Sequence, residues 1–423
     1  MSVKMNLDNF KNICVVGFGK SGICLTELLL SLGKKVKITE TKESSSFSSF
    51  IIPKFTSFGV DFEFGGHTKN FIKDADLLVL SPGVDLKNSA VYEFAKEFKI
   101  PTIGEVELAS WLTSAKLIAI TGTNGKSTTA FLTYRVLKSK NTNTYLAGNI
   151  GIPFSSCVLK TKKKDIIVLE ISSFQLESII EFRPFIACLL NLEPDHLDRY
   201  NTFNEYIEAK KNIFMNQKKN DYAILNKDLS QINSIVKDLK SKVLFFSSEL
   251  VNPNYSAVYR IVNIFGLSKL DCKKIISNFK GLPHRMQFIK KIRGVTFLND
   301  SKATSPASTA WALKNINTSI ILIAGGKDKG LDYNYIVPYL KRVKKINLFG
   351  ESALKIKDSL SNAVRKEIFS TLKEAVVNSF SEAKEKDTIL FSPMCSSFDM
   401  YSNYRERGIK FIEIVKGIDE KTK

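Results

Sequence analysis

Residues 117–131 read LIAITGTNGKSTTAF, and the order of strand, glycine turn and helix in them decides the fold around them. The apolar run 117–120 has the length of a buried strand. It breaks into Thr121-Gly122-Thr123-Asn124-Gly125-Lys126-Ser127-Thr128, and a helical pattern resumes through Leu132, Val136 and Leu137. Glycines let backbone N–H groups close on phosphate oxygens, and the start of the following helix adds partial positive charge. A lysine there reaches the outer phosphates, and a hydroxyl directly after it can ligate Mg2+. The strict motif carries a glycine five residues before Gly125, a place that Ile120 holds, so this is a shortened form, T-G-T-N-G-K-S. A plain glycine turn is the bland alternative. Its ending in Gly-Lys-Ser-Thr weighs against that, and ATP or GTP binding is the expectation.

A chain of 423 residues has room for two or three domains, each with its own core. A hydrophobic share of 44% beside 25% charged residues fits a globular enzyme and excludes a disordered chain. The net charge of +20 comes mostly from lysines spread along the sequence. Arginine is scarce and no aromatic-interleaved basic stripe appears, so the charge fits lysine bias and anionic substrates better than nucleic acid. The six cysteines lack C-x-x-C spacing, which points to reduced thiols rather than disulfides or zinc. No signal-peptide stretch or membrane-length apolar run is present, so a soluble cytoplasmic protein without membrane insertion is expected.

Taken in order, residues 12–16 form a strand that leads into Gly17-Phe18-Gly19-Lys20-Ser21-Gly22. A helical pattern and a second strand, 35–39, follow, ending at Glu40. This is a βαβ unit with a G-x-G-x-x-G turn and an acid about 20 positions on, a Rossmann-like pattern. Alone it is compatible with a dinucleotide, another nucleotide diphosphate or a tight turn. Residues 76–80 make a further strand before Ser81-Pro82-Gly83, residues 44–49 a serine-rich loop, and 101–104 a linker. Strands at 117–120, 165–170, 185–191, 222–226 and 243–247, then helices at 252–267 and 269–279, describe a second, mostly parallel α/β domain. Gly281-Leu282-Pro283 marks the next boundary, and strands at 295–298, 320–324, 346–349 and 388–391 describe a third. The expectation is α/β in three domains, 1–104, 105–281 and 282–423: N-terminal Rossmann-like, central P-loop ATPase with a mostly parallel sheet, C-terminal Rossmann-like.

Several residues outside the glycine turn carry chemistry. Glu170 ends an apolar strand, placed like a Walker-B acid; a solvated carboxylate at a strand tip is the alternative. His196, one of three histidines, sits in an acidic turn after the strand 185–191, where a functional role outweighs a structural one. Thr202 and Glu205 form a capping box for a helix bearing Lys210 and Lys211, and spacing alone makes that pair a solvated face. Residues 299–304 (NDSKAT) and 392–404 (SPMCSSFDMYSNY) are hydroxyl-rich loops that could cradle a small acidic amino acid, with ordinary loop polarity at even odds.

With TGTNGKST, LEISSFQLE, NLEPDHLDRY, GLPHR, NDSKAT, GGKDKG and SPMCSSFDM in this order, the whole chain resembles the Mur ligases. SSFQLE, SPGV, NDSKAT and the C-terminal SPMCSSFD are most similar to the D-glutamate-adding members. The resemblance implies an ATP- and Mg2+-dependent ligase, expected to be a monomer, that joins D-glutamate to UDP-N-acetylmuramoyl-L-alanine through an acyl phosphate. It implies that Gly19, Lys20, Ser21, Thr41 and Lys42 meet the uridine diphosphate, with Ser81, Gly83 and Asn149 beside it. Gly122, Thr123, Asn124, Gly125, Lys126, Ser127 and Thr128 would hold ATP phosphates. Ser127 and Glu170 would hold one Mg2+, and His196 and a carbamylated Lys210 a second. Arg285 would approach the γ-phosphate, Asp300 the ribose and Asn252 the adenine. Lys302, Thr304, Ser397 and Tyr404 would receive D-glutamate. Two departures stand out: Tyr404 replaces the family's usual Phe, and Val251 and Tyr255 replace the His and second Asn of its adenine motif. Another Mur ligase, a folylpolyglutamate synthase, an NTP-dependent nucleic-acid-binding protein and a non-catalytic binding protein remain open alternatives at this point.

Overall fold

The computed structural model describes residues 6–85, 89–140, 142–195, 199–247, 252–360 and 364–421. Their strands form three sheets. The first contains β1 (Asn12–Val16), β2 (Lys35–Glu40), β3 (Asp61–Phe64), β4 (Leu77–Leu80) and β5 (Thr102–Gly104), in the order β3-β2-β1-β4-β5. All its pairings are parallel. Buried on both faces, NICVV and LLVL are apolar runs that only helix-covered central strands can use. The order reverses at β1, so a crevice opens at its carboxyl end, where the turn at Gly17 lies.

The second sheet contains β6 (Lys116–Thr121), β7 (Thr144–Gly148), β8 (Ile166–Glu170), β9 (Ile186–Leu189), β10 (Tyr222–Asn226) and β11 (Lys242–Phe246), in the parallel order β11-β10-β9-β6-β8-β7. In this register Ile120 pairs with Glu170 and Thr121 with Leu189. The ends of β8 and β9 therefore flank the glycine loop that leaves β6. These two sheets share one compact unit, Met1–Leu192 with Tyr206–Ser277, and one core running from Ile13 and Phe18 to Ala119 and Leu189. Between them, the helix Glu105–Trp111 buries Glu107, whose carboxylate accepts the backbone N–H groups of Ile180, Glu181 and Phe182 at 2.7–2.9 Å.

The third sheet belongs to a second unit, Glu193–Glu205 with Asn278–Lys423. It contains β12 (Gln287–Ile292), β13 (Val295–Asn299), β14 (Ile320–Gly325), β15 (Val343–Phe349), β16 (Arg365–Phe369) and β17 (Thr388–Phe391), ordered β12-β13-β17-β14-β15-β16. β12 runs antiparallel to β13 with a bulge between Phe288 and Lys290; the other pairings are parallel. Because Phe391 pairs with both Asn299 and Ile323, the loops leaving β13, β17 and β14 start side by side.

The three-domain α/β expectation holds, with corrections in detail. The stretch 101–104 is not a linker: Thr102–Gly104 is an edge strand paired with β4. The serine-rich loop contains a short 3-10 turn, Ser44–Ser46. β3, β7, β12 and β16 were not expected; each is an edge strand only partly buried, and β3, β12 and β16 are interrupted by polar residues. All six cysteines are free. Among the described residues no helix is long and apolar enough to cross a membrane.

Candidate active site

The glycine loop after β6 is shaped by contacts that only glycine allows. Gly125 has φ +82°, and a Cβ there would come within 2.1 Å of Asn254 Oδ1. The helix Lys126–Lys138 then begins directly at Gly125, which offers no side-chain cap to its first turn. Lys126 folds back, its Nζ donating to the carbonyls of Gly122 at 2.7 Å and Thr123 at 2.8 Å. Ser127 Oγ donates to Glu170 Oε2 at 2.5 Å, and both side chains are buried. Glu170 is therefore not the solvated strand-tip carboxylate that its position alone allowed. Asn149 Nδ2 donates to Glu170 Oε1 at 2.8 Å, which brings this residue to the loop's carboxylate.

Lys210 is 1% exposed on the helix Phe203–Lys211, against the solvated face that spacing suggested. Its Nζ donates to Gly122 O at 3.0 Å and lies 4.5 Å from the centre of the Tyr206 ring. Tyr206 OH in turn lies 3.2 Å from Thr123 Oγ1. Two lysines thus converge on the Gly122 carbonyl. Lys211 points away, to Glu208 at 2.9 Å. Burying an ammonium carries a desolvation cost of several kcal/mol, which a packing role alone would not need. The expected capping box is half formed: Thr202 Oγ1 accepts Glu205 N–H at 3.2 Å, while the Glu205 carboxylate accepts Asn201 N–H at 3.3 Å. His196 and Val251 lie outside the described residues.

Asn191, which the sequence reading passed over, fixes the loop's path. Its Oδ1 accepts Asn124 N–H at 2.7 Å, its Nδ2 donates to Asn124 O at 3.0 Å, and its carbonyl accepts Thr123 N–H at 3.1 Å. The signal was its place at the end of an apolar strand in the same sheet. Asn252 is exposed and caps the helix Pro253–Asn263 by accepting Asn254 N–H at 3.0 Å.

The turn after β1 is organised differently. Gly17 has φ +91°, and a Cβ on Gly22 would come within 2.0 Å of Gly17 O. Glu40, quoted only as the acid of the pattern, is the organiser. Its carboxylate accepts Phe18 N–H at 2.6 Å, Lys42 N–H at 3.0 Å and Thr41 Oγ1–H at 3.1 Å. Burial pushes this carboxyl up, but these bonds, Phe18 first, outweigh it and hold the group below its ordinary value. Ser81 Oγ donates to Gly17 O at 2.9 Å, and Lys20 Nζ to Gly151 O at 3.2 Å. Glu40 and Ser81 thereby bind Thr41, Lys42 and the strand-end segment 81–83 to the turn that leads into Gly19, Lys20 and Ser21.

In the second unit, Asp300 is buried at the head of the loop after β13. Its Oδ1 accepts Met286 N–H at 3.1 Å and its Oδ2 accepts Ser392 Oγ–H at 3.0 Å. Burial pushes its carboxyl up to about 7, against the pull of these two bonds and of Arg285. Lys302 Nζ lies 4.2 Å from the centre of the Tyr404 ring, and Lys302 N–H donates to His284 O at 3.1 Å. Ser397 is buried, with its carbonyl accepting Tyr401 N–H at 2.8 Å, while Thr304 is half-buried. The loops bearing Lys302, Thr304, Ser397 and Tyr404 are brought together, as the β13–β17–β14 order requires.

Among the described residues no group of three or more His, Cys, Asp or Glu side chains is gathered. The Ser127 hydroxyl and Glu170 carboxylate are nonetheless a hard-oxygen pair joined by one hydrogen bond. They fit Mg2+, which binds through one or two protein oxygens plus phosphates.

Three family models match the chain: Mur ligase MurD-like, N-terminal domain over 11–104, Mur ligase middle domain over 120–273, and Mur ligase, glutamate ligase domain over 284–395. A UDP-N-acetylmuramoylalanine–D-glutamate ligase of Thermoanaerobacter sp. (strain X514) is 38% identical, covering 96% of this chain and 98% of that one. The protein of the same name from Citrifermentans bemidjiense is 37% identical, covering 96% and 97%. Among solved structures, UDP-N-acetylmuramate-alanine ligase MurC from Thermotoga maritima has a TM-score of 0.60 at 17% identity, covering 97% of this chain and 100% of that one. MurF ligase from the same organism, in complex with ADP, has a TM-score of 0.61 at 18% identity, covering 84% and 97%. At such identities the likeness is one of fold.

Proposed function

The chain belongs to the Mur ligase family, and on that premise we propose that it adds D-glutamate to UDP-N-acetylmuramoyl-L-alanine, using ATP, in cytoplasmic peptidoglycan precursor synthesis. It is an ATP-dependent amide-bond-forming ligase. The observation that carries the choice of amino acid is the full-length likeness to relatives named for D-glutamate. We take domains 1–104, 105–281 and 282–423 to receive the UDP moiety, ATP and D-glutamate in turn, in a monomer.

The alanyl carboxylate attacks the γ-phosphorus of ATP: an acyl O–P bond forms, the bond to the β,γ-bridging oxygen breaks, and ADP leaves. The amine of D-glutamate then attacks the acyl carbon. A C–N bond forms, the amine gives up a proton, and the C–O bond to phosphate breaks from a tetrahedral intermediate. Phosphorylation is needed because a carboxylate is a poor acylating agent. The loop from Gly122 to Thr128 orients the triphosphate, Lys126 offsets charge at its β- and γ-phosphates, and Arg285 approaches the γ-phosphate. Ser127 and Glu170 would hold one Mg2+ and His196 with a carbamylated Lys210 a second, and these ions would supply further charge neutralisation at the phosphates. The convergence of Lys126 and Lys210 on Gly122 O supports placing both at the phosphates. Asp300 and Asn252 take the ribose and adenine. Gly19, Lys20, Ser21, Thr41, Lys42, Ser81, Gly83 and Asn149 line the UDP-substrate side, and Lys302, Thr304, Ser397 and Tyr404 the D-glutamate side.

The test is ADP release with UDP-N-acetylmuramoyl-L-alanine and, in turn, D-glutamate, L-glutamate, L-alanine and a diamino acid. Turnover with D-glutamate alone is expected. Turnover with another of the four, or none with D-glutamate, rejects the assignment.

A further inference from the structure

Arg407 is the largest fully buried side chain of the described residues, and nothing in the reaction above uses it. It stands on the helix Tyr404–Lys421, below the loops that follow β13 and β17. Nε donates to Ser301 Oγ at 3.2 Å and Nη2 to Ser301 O at 3.0 Å. Nη2 also donates to Cys395 O at 3.0 Å, and Nη1 to Ser396 O at 2.9 Å. Every acceptor belongs to one of two segments. Ser301 lies next to Lys302, and Cys395 and Ser396 lead directly into Ser397. A third loop closes on the same fork: a Cβ on Gly326 would come within 2.3 Å of Ser396 O and 2.8 Å of Arg407 Nη1.

Among the described residues no carboxylate forms an ion pair with Arg407, so a guanidinium is buried on carbonyls and one hydroxyl. A core built for stability alone has cheaper solutions, because a buried cation pays a large desolvation penalty that apolar packing avoids. What an apolar side chain cannot do is hold two loops at fixed spacing with a planar, multi-pronged donor, or place beneath them a guanidinium charge, which Asp399 feels without pairing with it. Burial pulls the group down only to about 10, so it stays cationic at neutral pH.

The geometry points to Arg407 as a positioning residue for the amino-acid substrate: it sets the distance between the Ser301–Lys302 and Ser396–Ser397 segments and biases the site they form toward an acidic amino acid. This rests on the reading that those loops receive D-glutamate.

The experiment compares the wild-type enzyme with Arg407→Lys, which keeps the charge and loses the fork, by steady-state ADP release. The KM for D-glutamate is expected to rise at least roughly tenfold, with the KM values for ATP and UDP-N-acetylmuramoyl-L-alanine within about threefold of wild type. An unchanged D-glutamate KM, or an equal rise in all three, overturns the inference. If Arg407→Lys does not fold, Ser301→Ala, which removes the Nε acceptor together with the Ser301 Oγ–H bond to Tyr404 O at 2.9 Å, carries the test: a selective rise of about threefold is expected, and no selective rise overturns it. Wild-type turnover that does not depend on D-glutamate refutes the underlying reading instead, before any variant is measured.

Discussion

Two turns in this chain carry the same tripeptide, Gly19-Lys20-Ser21 after β1 and Gly125-Lys126-Ser127 after β6, each at the start of a helix. In the second, Gly125 is left-handed at φ +82°, the lysine folds back over the loop, and the buried carboxylate takes the hydroxyl of Ser127. In the first, Gly19 is extended at φ −75°, the lysine reaches out to Gly151 O, and the buried carboxylate takes a backbone amide of the turn itself. Glu40 thus occupies a donor that a phosphate would want, whereas Glu170 and the Ser127 hydroxyl present oxygens that a cation could bind. The Phe18 side chain, packed on Phe47, Phe55 and Phe62, fixes the first turn further. The tripeptide is common to both; the partner of the nearby carboxylate separates the turn proposed to cradle the triphosphate from the one proposed to meet the diphosphate at Lys20, Ser21, Thr41 and Lys42.

The sharpest way to break the contrast is Lys126→Ala. It should lower kcat/KM by at least about 10³-fold while the melting temperature stays near wild type; full activity would remove the loop from the chemistry. Glu40→Ala should be milder and selective. Losing three bonds that gather Phe18, Thr41 and Lys42, it should raise the KM for the UDP-substrate about tenfold and leave that for ATP alone. A larger effect on ATP would dissolve the distinction between the turns.

The smallest effect concerns Asp300, whose carboxyl titrates at about 7 in the folded protein and at 3.8 ordinarily. Below both values its contribution to stability is full. As pH rises from about 4 to about 7 the unfolded chain ionises first, and that contribution is lost. Asp300→Asn removes this slope. Its melting temperature relative to wild type should climb by a few degrees across that interval and level off above it; a flat difference would contradict the buried, protonated carboxyl.

Central strands such as NICVV and TILF were legible because burial on both faces demands a continuous apolar run. The edge strands were not: in β3, β12 and β16 polar residues interrupt the pattern, and β5 and β7 are short runs carrying glycine. Within the site, the glycine loop, Glu170 and the two hydroxyl-rich loops could be read from motif and strand position. Lys210 could not be told from a surface lysine by spacing, because its burial depends on Gly122 and Tyr206, the first of them far along the chain. Asn191 and Arg407 escaped for the same reason: each acts through backbone carbonyls and amides of loops that only the sheet order brings near.

The most direct measurement is a crystal structure of the chain with a non-hydrolysable ATP analogue, Mg2+ and UDP-N-acetylmuramoyl-L-alanine. The triphosphate should lie on residues 121–128 and the uridine diphosphate against Lys20, Ser21, Thr41 and Lys42, with extra density on Lys210 Nζ. A triphosphate on the Gly17 turn, or both ligands on the β6 loop, would contradict the account.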